Sequence, residues 1–493
     1  MGLEIERDHF SDPDYAAFDV RLRSCLEAIG QLLARPGFGD GPMTVGAEVE
    51  LDLVDEHERP IPKNREVLDG LRDPRVVPEL DRFNLEINST PVMLAGAPWT
   101  ALGSELREML SAIGRAAEGQ DAHVVQIGIL PTLAASDLAP SALTDSCRYR
   151  MLSAGIQRLR RSAFPIRIEG LDHLELEWDD VTLEGAMTSL QIHLRVPPSR
   201  YAAVYNAAQI ATAPALAIAA NSPLFLGKRL WDETRIALFR QSVDDRPRVQ
   251  PDDWRPARVS FGHGWLRGGP LELFGESVAL HEPLLPQVGP EDPLACLRAG
   301  GVPTLAELRL HNGTVWRWNR AVYDAAGGGH FRIELRALPA GPTVRDMMAN
   351  AAFLVGLTLA LAPDIDRWLL GLTFGHARRN FYEAAQRGLA AELLWLTPEA
   401  RLRPLSADAV VQLTLPLARR GLLDAGVTSA EADLHLDVIA RRVATGQTGA
   451  VWQRRMFDVA SRGQAPLAAG CSLMRAYRAA SDRELPVHAW EWP

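Results

Sequence analysis

Glu48, Glu50 and Asp52 alternate with Val45, Ala47, Val49, Leu51 and Leu53 in the segment Thr44–Asp55. An extended chain places these acids on one face and the apolar residues on the other, with same-face neighbours roughly 6.5–7 Å apart. A row of carboxylates at that spacing repels itself unless a cation sits among the oxygens. Hard divalent ions such as Mg²⁺ are held in this way, by carboxylates, waters and phosphate oxygens. The plainer alternative is the solvated outer face of an edge strand.

Three further segments repeat the pattern with other polar groups. In Phe83–Thr90, Asn84, Glu86 and Asn88 oppose Phe83, Leu85 and Ile87, and neither acidic strand carries the lysine common on solvent-facing strands. In Ser189–Val196, Gln191, His193 and Arg195 oppose Leu190, Ile192, Leu194 and Val196. A lone histidine is ordinarily structural, but Gln191 beside it adds an amide that can bond a carboxylate or a nucleobase. In His330–Ala337, Arg332, Glu334 and Arg336 oppose Phe331, Ile333 and Leu335. That set reads either as a weak ladder of surface ion pairs or as a metal carboxylate beside a phosphate-clamping guanidinium. Converging on one cavity, the four polar faces would suit metal-assisted phosphoryl transfer, in which positioning and charge neutralisation supply most of the catalysis.

Helical periodicity places buried helices around these strands, over Tyr15–Leu33, Trp99–Ala117, Tyr201–Ala220, Arg345–Leu361 and Ala377–Leu396. Additional strands are predicted at Val124–Leu130 and Leu174–Trp178, so the fold class is α+β. The Pro- and Asp-rich stretch Arg246–Pro256 reads as a surface loop. After Thr397 strand signals give way to helical ones, which divides the chain into a catalytic domain over residues 1–396 and a helical C-terminal subdomain over 397–493. Trp316 and Trp318 read as core residues covered by Arg317 and Arg320, with Arg320 kept as a substrate candidate. Glu233 and Arg235 lie two apart in an expected helix, do not share a face, and so leave Arg235 free to point into the site.

Composition narrows the function. With 52 basic and 62 acidic residues the formal charge is −10, which argues against non-specific nucleic-acid binding. Cys25, Cys147, Cys296 and Cys471 form no C-x-x-C pair, which excludes a zinc ribbon and fits a reducing, cytoplasmic setting. The polar N-terminus lacks the apolar run of a signal peptide, and the most apolar stretches are short and Ala-rich, so no membrane partner is expected. Oligomeric state is left open. Gly227 and Lys228 are not followed by Ser or Thr in a Walker A spacing, and no G-x-S-x-G or H-E-x-x-H motif occurs.

Five short segments, in order, resemble the type-2 glutamate–cysteine ligase and carboxylate–amine ligase family: TVGAEVE (44–50), LEINSTP (85–91), ANSPL (220–224), Arg235 after Gly227 and Lys228, and RIELR (332–336). The resemblance implies a glutamine-synthetase-like fold, a curved antiparallel sheet forming a funnel closed by helices. It implies ATP as co-substrate with two or three Mg²⁺ ions, and Glu48, Glu50, Glu86, His193 and Glu334 as metal ligands. Gln191, His193, Lys228 and Arg336 would then contact nucleotide or phosphate. Arg148, Tyr149, Asn221, Arg235 and Arg320 would bind small-molecule substrate, and Glu86, Arg235 and Arg336 would act in catalysis. Many members carry two histidines where this chain has Gln191 and then His193, an arrangement similar to the plant-type and actinobacterial branch. The implied reaction joins glutamate to an amine, cysteine being the family's commonest acceptor, through an acyl-phosphate. The residues themselves also admit a phosphotransferase on the same scaffold, or a binding protein that kept the fold.

Overall fold

A computed structural model describes residue 5 and residues 7–247, 255–397 and 399–492; residues 248–254 of the expected 246–256 loop therefore lie outside the described part. Its centre is an antiparallel sheet of eight strands: β1 (Thr44–Val54), β2 (Val76–Pro78), β3 (Asn84–Asn88), β4 (Val92–Met93), β5 (His123–Val125), β6 (Ser189–Arg195), β7 (Asn319–Asp324) and β8 (His330–Pro339). They run in the order β7-β8-β6-β1-β3-β2, with β4 and β5 pairing to the two ends of β1. Alternation on β1 works as its sequence predicts: Val45, Val49, Leu51 and Leu53 are fully buried in the core.

The apolar face packs against helices Pro98–Glu118, Tyr201–Ala219 and Val344–Leu361. The latter two are apolar on nearly every side, the pattern of helices enclosed by protein. Their apolar windows are 89% and 83% buried within the structure. Helix Val344–Leu361 in turn crosses Ala407–Asp424 at close range. There a Cβ added to Gly421 would stand 2.1 Å from the Gly356 carbonyl oxygen, and one added to Gly356 2.5 Å from that of Ala418. Behind this crossing the buried Arg442 donates to Asp346 and to Asn350, both at 2.6 Å, and to Ile218 O at 2.9 Å. The C-terminal helices thus share the core of the helices beneath the sheet.

Several sequence expectations need correction. The strand expected over Val124–Leu130 stops at Val125, because the carbonyls that follow are taken by side chains and loops: Gln126 O accepts from the Tyr477 hydroxyl at 2.8 Å, Ile127 O from Thr188 Oγ1, and Gly128 O from Thr188 N at 3.0 Å. The helix expected over Ala377–Leu396 runs Phe374–Arg387 and ends at Gly388, whose φ of 52° lies in the left-handed region. Glu392–Leu396 is instead a strand, paired with a second strand Leu402–Ser406 in the stretch read as purely helical. Its four consecutive apolar residues, Leu393, Leu394, Trp395 and Leu396, carry no period-two pattern that would mark a strand.

Substituting Gly421→Ala should lower stability by about 1–3 kcal/mol, since the added methyl must push two backbones apart. Urea unfolding checks this; an unchanged midpoint would mean that the two helices are free to separate.

Candidate active site

Pairing register decides which polar side chains meet. Across β1 and β3, Glu50 faces Glu86, Glu48 faces Asn88 and Asp52 faces Asn84. On the other side of β1, Glu48 faces Gln191, and the next step of the sheet sets His193 opposite Glu334 and Glu334 opposite Arg320. Glu48, Glu50, Glu86, Gln191, His193, Glu334, Arg320 and Arg336 are thereby gathered on one face.

Two linked clusters result. In the first, His193 Nε2 lies 2.9 Å from Glu48 Oε1 and 3.6 Å from Glu334 Oε1. One ligand atom from each of these three residues can be chosen so that all lie within 4.8 Å of one another, and His193 Nδ1 is buried without a partner. Glu334 is clamped by Arg320, which donates Nε to Oε2 at 2.5 Å and Nη2 to Oε1 at 2.9 Å, while Arg336 Nη1 stands 3.2 Å away. Burial pushes Glu334 up, but Arg320, Arg336 and His193 outweigh it and hold the carboxyl well below its usual range. Burial likewise raises Glu48, and His193 brings it back below the ordinary value.

In the second cluster Glu50 accepts from Ser189 N at 2.6 Å and from Gln191 Nε2 at 2.7 Å, while Gln191 Oε1 accepts from Arg336. Gln191 therefore relays between a guanidinium and a carboxylate, donating through its amide nitrogen and accepting through its amide oxygen. A small cavity is lined by Glu50, Glu184, Arg235 and Arg336, with Phe239 and Trp318 as apolar walls. Burial, then repulsion from Glu48, Glu79 and Glu50, pushes Glu86 well up. Burial with repulsion from Glu50 raises Glu79 to about 8 and Glu184 to about 7.

Glu79 and Glu184 were missed from the sequence. Glu79 follows a three-residue strand and Glu184 sits in the four-residue helix Thr182–Gly185, so neither has the periodic context that marked the other acids. The remaining expected residues fall as follows. Tyr149 donates its hydroxyl to Pro78 O at 3.3 Å; burial, then Glu79, raises it well above the usual phenol range, with Arg148 acting in the opposite direction. Arg235 is buried, but the expectation that it has no local ion pair is corrected: Nη1 lies 3.0 Å from Glu233 Oε1. Glu233 precedes the helix Thr234–Ser242 with non-helical backbone angles, so the face argument did not apply to it. Asn221 lies beneath the site with both amide ends held by protein, Nδ2 on Ala340 O and the Tyr477 hydroxyl and Oδ1 on Gln453 Nε2. Lys228 is exposed on a two-residue strand, next to Arg229, which is anchored to Asp172 and Asp458. Trp316 and Trp318 are buried as expected.

An antiparallel sheet of this order, backed by helices and gathering acids, an imidazole and guanidiniums on its other face, is a glutamine-synthetase-like fold. The chain belongs to the glutamate-cysteine ligase family 2, whose family model matches residues 44–470. Among solved structures it is similar to the glutamate–cysteine ligase of Francisella tularensis in complex with AMP, at 11% identity and a TM-score of 0.56, over 92% of this chain and 91% of that one. It is also similar to a bifunctional glutathione synthetase from Pasteurella multocida, at 10% identity and a TM-score of 0.51, over 93% of this chain. The match covers 53% of that longer protein, so this chain corresponds to about half of it. No curated protein sequence matches the chain.

The donor set fits a hard divalent cation. Carboxylate oxygens dominate it, and the acids forced toward protonation by burial and mutual repulsion are those that a cation would restore to the charged form. Metal-free protein should lose stability as pH rises from about 5 to 8, because the raised values of Glu79 and Glu184 mean that the folded state binds more protons than the unfolded state across that window. Added Mg²⁺ should therefore raise the melting temperature more at pH 8 than at pH 5.5. Thermal melts at both pH values check this, and an equal effect of Mg²⁺ at the two would count against a cation among these carboxylates.

Proposed function

We propose that the protein is an ATP-dependent carboxylate–amine ligase of the glutamate–cysteine ligase kind, acting in the cytoplasm on small molecules. The observation that carries this reading is the convergence of Glu48, His193 and Glu334, within 4.8 Å, beside further buried carboxylates and two guanidiniums. No vestigial fold needs so costly a concentration of buried charge.

Glu48, His193 and Glu334, with Glu50 and Glu86 beside them, would hold Mg²⁺, which when bound supplies charge neutralisation for the phosphates of ATP. Arg336, oriented by Glu334 and Gln191, faces the transferred phosphoryl group. Gln191 and His193 border the nucleotide. Arg235 and the pair Arg148 and Tyr149 orient substrate carboxylates from the far wall. Arg320 acts through Glu334, which it holds charged. The γ-carboxylate of glutamate attacks the γ-phosphorus of ATP, giving γ-glutamyl phosphate and ADP. The amine nitrogen then attacks the acyl carbon, phosphate leaves, and the proton lost by nitrogen passes to a buried acid. Glu86, on the same sheet face opposite Glu50, is the acid assigned this proton.

A phosphate-release assay with Mg-ATP, glutamate and a panel of amines led by cysteine tests this reading. Phosphate should appear in step with a new amide for one acceptor; a phosphorylated product without an amide would point to a phosphotransferase instead. Glu50→Gln and Glu334→Gln should each lower turnover at least about 100-fold while leaving the circular dichroism spectrum intact. Wild-type rates in either variant would remove that residue from the site.

A further inference from the structure

Arg235 lines the cavity beside the carboxylates. Among the described residues its one ion pair is with Glu233, Nη1 to Oε1 at 3.0 Å. Ala337 O accepts from the same nitrogen at 3.3 Å, and the buried Nε has no partner. Glu233 is sealed from solvent and held at both oxygens: Oε2 accepts from Asn221 N at 2.9 Å and Oε1 from Ser222 Oγ at 2.7 Å. Where Asn221 and Ser222 sit therefore decides where Glu233 sits, and with it Arg235.

That pair is held in turn by two helices far along the chain, Gly449–Ala460 and Pro466–Ser481. Gln453 Nε2 donates to Asn221 O at 2.9 Å and to Asn221 Oδ1 at 2.7 Å. Asn221 Nδ2 donates to Ala340 O at 2.8 Å and to the Tyr477 hydroxyl at 2.9 Å. The hydroxyl gives its own proton to Gln126 O, so toward Asn221 it acts as acceptor, which fixes the orientation of that amide. A Cβ added to Gly449 would stand 2.0 Å from Asn221 Oδ1, so the first helix abuts the amide directly. The residue after Gln453 clasps the other side, Arg454 pairing with Asp232 immediately before Glu233. Asn221, Glu233, Gln453 and Tyr477 are all fully buried, where water does not replace a lost hydrogen bond.

We propose that Tyr477 and Gln453 are positioning residues for substrate: through Asn221 and Glu233 they aim Arg235, and so set the affinity of the site for the carboxylate that Arg235 binds. This rests on the ligase proposal, in which Arg235 orients a substrate carboxylate. Neither Tyr477 nor Gln453 lines the cavity. A guanidinium grips a carboxylate through two parallel N–H bonds, and a small displacement loses that match. The C-terminal helices thereby belong to the apparatus that selects substrate.

Steady-state kinetics of Tyr477→Phe and Gln453→Met in the full chain, with glutamate varied, test this. Each should raise KM for glutamate about five- to tenfold and change kcat less than about twofold, because a contact remote from the reacting atoms binds ground and transition states alike. On an Arg235→Lys background, Tyr477→Phe should add less than about twofold, since its effect passes through that guanidinium. Gln447→Leu is the control: it breaks bonds to Val487 O and Trp490 O in the same helical layer but none to Asn221. It should lower the melting temperature and leave KM within about twofold of wild type. A crystal structure of Tyr477→Phe adds a readout that needs no substrate, and Arg235 should be displaced in it. Displacement of Arg235 without turnover of glutamate by any amine would sink the ligase proposal and leave the positioning intact. An unmoved Arg235, additive effects in the double variant, or an equal rise of KM in Gln447→Leu would overturn the assignment.

Discussion

Mutual repulsion among buried carboxylates is the constraint around which the rest of this molecule is arranged. Glu48, Glu50, Glu86 and Glu334 are fixed on one sheet face by strand register, and Glu79 and Glu184 are added from short flanking segments. So many acids cannot all be charged in a partly desolvated site unless positive charge accompanies them. The protein provides some of it: Arg320 and Arg336 keep Glu334 ionised, and Arg235 and Arg336 partly offset the burial of Glu50. What these side chains do not offset remains as raised proton affinity at Glu79, Glu86 and Glu184. Such a surplus of acid favours positively charged ligands.

Holding such a face together requires a stiff backing. The sheet rests on helices with almost no polar surface, and these are locked by the Gly356–Gly421 crossing and by Arg442 on Asp346. The C-terminal helices also reach toward the site, where Tyr477 donates to Gln126 O and accepts from Asn221. Asn221 therefore positions the loop from which Glu233 and Arg235 emerge, since its backbone N–H donates to Glu233 Oε2 at 2.9 Å.

Much of this was legible in the residues. Strict alternation marked β1, β3, β6 and β8 and named their polar faces, because period two is local and survives folding. Illegible features depended on tertiary partners. Glu79 and Glu184 joined the cluster from segments too short for any period. Arg235 found Glu233 because the helix begins only at Thr234, which leaves Glu233 outside the face argument. Val124–Leu130 looked like one strand, yet Thr188 and Tyr477 capture the carbonyls that would have extended its ladder. Leu-rich Glu392–Leu396, following Ala390 and Ala391, resembled the end of a helix until Leu402–Ser406 paired with it.

The account rests on a divalent ion lying among Glu48, His193 and Glu334. A crystal soaked in Mn²⁺ and measured at the manganese absorption edge addresses this directly. An anomalous peak within bonding distance of the Glu48 and Glu334 oxygens and of His193 is the predicted result. Manganese bound only elsewhere, with those three side chains still in direct contact with one another, would contradict it.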